Sequence, residues 1–192
     1  MEQKLHGILE EGEQLLWCGA PEQFEMMNAT YKTVQLRKIL LTAIGIIALS
    51  AWYISAAIAN GVKVQPIAIL VCALPFLYSI YNDFSDVKKL RSRTLYAMTD
   101  RRMITVIDNA VSHIDYEKID DWKLEADADG MVSLICGSDA VKAKTHTRRA
   151  AAVCGAHTNI DTALCESYVM YGITADAKSI EKIISDRIGT EA

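Results

Sequence analysis

Ile39 to Ile58 reads ILLTAIGIIALSAWYISAAI, about 20 residues without one charged side chain. At ~1.5 Å of rise per residue, a helix of that length matches a bilayer hydrocarbon core ~30 Å thick. After the polar break Ala59-Asn60-Gly61-Val62-Lys63, a second uncharged run extends from Val64 to Tyr81. Backbone in lipid must satisfy its own hydrogen bonds, so both runs are predicted to be helices. The competing reading is a buried helical hairpin of a soluble protein, which a chain of 192 residues has little other mass to enclose. The spacing therefore predicts a transmembrane hairpin over 39–81, with spans at 39–58 and 64–81.

Charge sits on the flanks. Lys32, Arg37 and Lys38 precede the first span and Lys88, Lys89, Arg91 and Arg93 follow the second, while the connecting turn holds only Lys63. By the positive-inside rule both termini are predicted to be cytoplasmic, in a multi-pass protein of the inner (plasma) membrane. The acidic start, with Glu2, Glu10, Glu11 and Glu13, lacks the basic opening and immediate apolar run of a cleaved signal, so the hairpin is expected to remain in place. A net charge of −4 argues against a nucleic-acid partner. Cys18, Cys72, Cys136, Cys154 and Cys165 are odd in number and form no CxxC pair, which predicts free thiols.

Outside the hairpin the pattern changes. Gln14 to Pro21 is a short apolar run stopped by Gly19-Ala20-Pro21, a predicted strand at about 14–19. Glu22 to Lys38 is read as an interfacial lead-in to the first span. Beyond the second span, Thr94–Met98, Met103–Ile107, Val111–Tyr116, Trp122–Ala126 and Met131–Cys136 read as antiparallel strands. Asp127-Ala128-Asp129-Gly130 between the last two is a hairpin turn. Ser167–Ile173 is another predicted strand. Asp176 is the expected N-cap of a helix at about 176–188, with Ile180, Ile183, Ile184 and Ile188 on one face and Gly189 as its stop.

Three features resemble the membrane-anchored bacterial pleckstrin-homology-like (PH-like) domain proteins. Glu11-Gly12-Glu13-Gln14-Leu15-Leu16-Trp17-Cys18-Gly19-Ala20-Pro21 is similar to that family's opening Gly-Glu, apolar, Trp, Gly-x-Pro segment. A two-span hairpin follows. Tyr96-Ala97-Met98-Thr99-Asp100-Arg101-Arg102 is then similar to the family's Tyr-x-Leu-Thr-Asp-x-Arg hairpin. Trp17, Gly19, Pro21, Tyr96, Thr99, Asp100 and Arg102 are accordingly fold-specifying residues: Tyr96 and Met98 share a face, Thr99 and Asp100 fold the turn, and Arg102 pairs with Asp100 or a nearby carbonyl. The resemblance implies an α+β membrane protein in which a partly open β-barrel is capped by the last helix and held against the inner leaflet. Its parts are an N-terminal cytoplasmic segment, 1–38, whose strand joins the later sheet; the hairpin, 39–81; and a cytoplasmic domain, 90–192.

The segment between Gly137 and Cys165 departs from the family pattern. As a strand, Val141 to Arg149 aligns Lys142, Lys144, His146 and Arg148 on one face, with Arg149 beside them, a candidate surface for anionic headgroups. The plainer alternative is a solvated edge strand kept soluble by its lysines. His146, Cys154, His157 and Cys165 match no zinc spacing, so no metal or other cofactor is expected. There is no phosphate loop, HExxH or GxSxG, and Cys154 with His157 lacks an orienting partner. The expectation is a non-catalytic module that binds a protein partner or membrane lipid at the cytoplasmic face. The alternative is a membrane-bound enzyme or metal-binding accessory using residues 137–165.

Overall fold

A computed structural model describes residues 7–25, 27, 29–137, 152–153 and 168–188. The order of elements is β1 (Leu15–Gly19), α1 (Ala29–Ala59), α2 (Pro66–Arg93), β2 (Thr94–Thr99), β3 (Arg102–Ile107), β4 (Ala110–Asp115), β5 (Trp122–Ala126), β6 (Val132–Cys136), β7 (Tyr168–Met170) and α3 (Ala177–Ile188). The class is α+β, with two long apolar helices and two antiparallel sheets ordered β1-β2-β3-β4 and β5-β6-β7. β1 pairs with β2 across the whole hairpin in sequence, with Trp17 opposite Met98 and Gly19 opposite Tyr96.

Both helices are long and apolar enough to cross a membrane; none of the most apolar stretch of α1 is buried, and 6% of that of α2. Between them the chain turns by a Schellman motif: Val62 N–H donates to Ala57 O (2.9 Å) and Gly61 N–H to Ile58 O (3.1 Å). Gly61 takes the left-handed φ of +64° that this motif requires. Pro66 then opens α2 from an extended Gln65, where its missing N–H is no loss. Close approach of the helices depends on Gly45, since a Cβ there would lie 3.1 Å from the Phe76 ring. Lys38 and Asp83 form an ion pair across the two helices, 2.5 Å apart.

The helices outrun the apolar segments at their polar ends. α1 starts at Ala29, inside the expected lead-in, and α2 runs on to Arg93. Packing explains the extension. Tyr31 of α1 with Val87 and Leu90 of α2 form one core with Phe24, Ile107, Ile135, Val169 and Tyr171. Alternate residues of β6 and β7 face the other way: Leu134, Cys136, Tyr168 and Met170 join Tyr96, Met98, Met103, Ile180 and Ile184 in the main core. On the outer side of β2 and β3, Leu95, Ala97, Ile104 and Val106 pack with Ile8, Leu9 and Cys18. β2 is consequently buried along its full length.

Several boundaries shift for local reasons. β4 ends at Asp115 because Tyr116 enters a 3-10 turn, Tyr116–Lys118. β7 stops at Met170, before Gly172 bends the chain at φ +71°. Asp176 lies within a 3-10 turn, Thr174–Asp176, that leads into α3. The orphan amide of that turn, Ala175 N–H, is accepted by Glu22 Oε1 at 2.6 Å. Ser167, Gly189 and all but 152–153 of the segment 138–167 lie outside the described residues.

Candidate functional site

The two sequence motifs that flank the hairpin meet. Glu13, at the entry to β1, has a fully buried side chain facing a nearly buried Arg102 at the start of β3. Glu13 Oε1 accepts from Arg102 Nε (2.9 Å) and Thr99 Oγ1 (2.8 Å). Its Oε2 accepts from Arg102 Nη2 (3.0 Å) and from the Glu10 amide (2.8 Å). Burial alone would raise this carboxyl. The bonds from Arg102, the Glu10 amide and Thr99 outweigh it and hold the group at about 2. Glu13 in turn raises the Arg102 pKa through the same bond.

Thr99 orders the turn itself, its Oγ1 accepting from the Arg101 (3.2 Å) and Arg102 (3.0 Å) amides. The expected Asp100–Arg102 pairing is not formed. Asp100 Oδ1 accepts from the Gln14 amide at 2.9 Å, while the Asp100 amide donates to Gln14 O at 3.0 Å. Arg102 goes to Glu13 and Glu10, with Ile8 O a longer partner at 3.4 Å. Sequence reasoning misses the carboxylate that this arginine needs. Its signal is an acidic residue at the mouth of an apolar strand with no basic neighbour beside it.

The remaining motif residues have mechanical roles. The Trp17 indole lies against the Gly19 backbone, so a Cβ at Gly19 would fall 2.5 Å from Trp17 Cζ2. Pro21 is buried, and the next residue, Glu22, donates its amide to Gly172 O at 2.8 Å. The buried Tyr96 hydroxyl accepts from the Tyr171 amide at 3.0 Å. Thr105 and Tyr168 share a hydroxyl–hydroxyl bond of 2.6 Å between the two sheets. Burial pushes the Tyr96, Tyr116 and Tyr168 hydroxyls and the Cys136 thiol above their ordinary values, so all four stay neutral. Together these contacts join the N-terminal segment, both sheets and the approach to α3.

Lys142, Lys144, His146, Arg148 and Arg149, expected from the sequence to bind headgroups, lie outside the described residues, as do Cys154, His157 and Cys165. Where α2 meets the first sheet, Arg91 donates Nε–H to Gln23 Oε1 at 3.0 Å and Arg93 pairs with the Asp108 carboxylate at 3.2 Å. Both arginines, in the last turn of α2, line an open groove together with Pro21, Gln23 and Asp108, beside the buried Leu95 and Val106. Comparisons of the chain with protein-family models, curated proteins and solved structures find no match.

Proposed function

We propose that this chain is a two-pass protein of the inner membrane that presents a cytoplasmic PH-like module for binding, with no catalytic role. One observation carries the membrane reading: the apolar stretches of α1 and α2 are almost wholly unburied. A core helix of a soluble protein hides such a surface, because contiguous exposed apolar patches of this extent are not tolerated in water. The polar ends of the same helices are packed into the sheets, so the module and the basic flanks share one end of the hairpin, which supports a cytoplasmic module under the positive-inside rule.

Support for the PH-like reading comes from strand order. Two antiparallel sheets in the order 1-2-3-4 and 5-6-7 enclose a core on which α3 packs through Ile180 and Ile184. That arrangement suits a partly open barrel capped by its last helix. Glu13, Thr99, Asp100 and Arg102 bond to one another and to backbone, which suits a scaffold. The partner proposed is a protein or an anionic headgroup at the cytoplasmic face.

Membranes holding the intact protein, washed in alkaline carbonate, test the anchor: the protein is expected in the pellet, and its release into the supernatant would overturn the two-pass reading. Affinity capture from native membranes tests the binding role. A stoichiometric companion is the expected result, and its absence together with unaltered lipid composition around the captured protein would count against a binding module.

A further inference from the structure

Between their apolar spans and the sheets, α1 and α2 form a neck, residues 29–38 and 82–93. The neck carries seven basic residues against two acidic ones, in a chain whose net charge is −4. The remainder of the chain is therefore acidic, and positive charge is gathered where the helices leave the spans.

The fold engages four of these seven side chains and leaves three. Lys38 pairs with Asp83 (2.5 Å), Lys89 with Asp86 (3.7 Å) and Arg93 with Asp108 (3.2 Å), while Arg91 donates to Gln23 Oε1 (3.0 Å). The exposed side chains of Lys32, Arg37 and Lys88 make no ion pair or hydrogen bond among the described residues. Near them on α1, Val34 and Leu36 are 40% and 49% exposed although they lie outside the uncharged span. Cations interleaved with bare apolar side chains suit the boundary of a bilayer, where charge meets phosphate and apolar surface meets the acyl chains.

We infer that the neck gathers anionic phospholipids of the adjoining leaflet through Lys32, Arg37 and Lys88, an inference that rests on the two-pass reading. Depth supports it. Arg37 precedes Ile39 by ~3 Å of helix rise, within a headgroup layer ~5–8 Å thick. Lys32 and Lys88 stand ~10 Å beyond Ile39 and Tyr81 along their helices, near the outer edge of that layer, where long side chains reach back towards the phosphates. No single lipid has to touch all three, because each cation adds to a local potential that extends about a Debye length, ~8 Å, from the surface. The acidic remainder of the chain is on balance repelled by the same lipids, so overall charge does not account for the attraction.

The test is electron spin resonance of spin-labelled phosphatidylglycerol, and of spin-labelled phosphatidylcholine, around the intact protein in phosphatidylcholine vesicles. At low salt phosphatidylglycerol is expected to be held at the protein surface about threefold more strongly than phosphatidylcholine. The preference is expected to vanish in about 1 M salt, where the Debye length falls to ~3 Å. Lys32→Gln, Arg37→Gln and Lys88→Gln combined are expected to abolish it at low salt. A charge-matched variant, Arg93→Gln with Lys118→Gln and Lys123→Gln, removes cations already paired with Asp108, Asp115 and Glu125 and is expected to keep it. Equal retention of the two lipids by the native protein, or a preference that survives high salt or the neck variant, would overturn the inference. Loss of the preference in the charge-matched variant would also overturn it, by tracing the effect to net charge. Failure of the membrane reading would appear separately: neither label would be immobilised, and carbonate would release the protein.

Discussion

Glu13 and Arg102 lie 89 residues apart in the chain, on either side of the apolar hairpin, and are joined by two charge-assisted hydrogen bonds of 2.9 and 3.0 Å. The hairpin is thus inserted into a folded unit whose first strand is formed before it and whose second strand follows it. Closing that unit requires the polar ends of α1 and α2 to return side by side, which the Lys38–Asp83 pair and the core around Leu90 accomplish.

Breaking the Glu13–Arg102 pair from one side leaves a buried charge uncompensated. Glu13→Gln and Arg102→Met are each expected to destabilise the protein by about 2–4 kcal/mol, and the double variant by clearly less than the sum. Urea unfolding of the four proteins in detergent measures this; strict additivity would mean that the pair is not coupled.

The same pair sets an acid limit. Glu13 has its folded pKa lowered from 4.5 to about 2, so its contribution is present above pH 4.5 and is lost as pH falls from there towards 2. The loss is on the order of 3 kcal/mol at most, a tenfold change in an acidity constant being worth ~1.4 kcal/mol. Melting temperatures recorded across this window should fall in the native protein and be flatter in Glu13→Gln. Parallel curves would show that another group controls acid unfolding.

Gly19→Ala is expected to cost about 1–3 kcal/mol, because a Cβ meeting the Trp17 indole must displace a large ring packed on the core. Gly12→Ala provides the contrast: the φ of +80° there strains the new alanine, but nothing lies within 4 Å of its Cβ. Thermal unfolding together with the emission maximum of the tryptophans should show Trp17 moving towards solvent only in the Gly19 variant.

Much of the architecture is legible in the residues. The two apolar runs, the Thr99-Asp100 turn, the Asp127–Gly130 turn and the isoleucine face of α3 are local patterns, and each falls where local physics puts it. What the sequence hides is long-range. α1 and α2 extend into polar sequence because Tyr31, Val87 and Leu90 find the outer faces of β6 and β7, contacts that no window of neighbours reveals. Arg102 pairs with Glu13 and not with its sequence neighbour Asp100, whose carboxylate instead accepts from the Gln14 amide. The groove at Arg91 and Arg93 reads in sequence as a topogenic basic cluster, and only the fold places it beside Leu95 and Val106.

Leu90 is fully buried although it lies in a run of charged residues. Leu90→Ala should therefore cost about 2–5 kcal/mol, as a core truncation does, whereas Leu77→Ala, exposed in the apolar part of α2, should change the unfolding of the sheets little. Limited proteolysis of both variants distinguishes them, and equal resistance would mean that the helix ends do not support the domain.

Hydrogen–deuterium exchange on the intact protein in nanodiscs tests the central claim most directly. The account predicts that amides of 39–58 and 66–81 are protected by the bilayer, while those of β1 exchange as slowly as those of β2, their partners across the hairpin. Rapid exchange of β1 beside a protected β2, or spans that exchange freely, would contradict it.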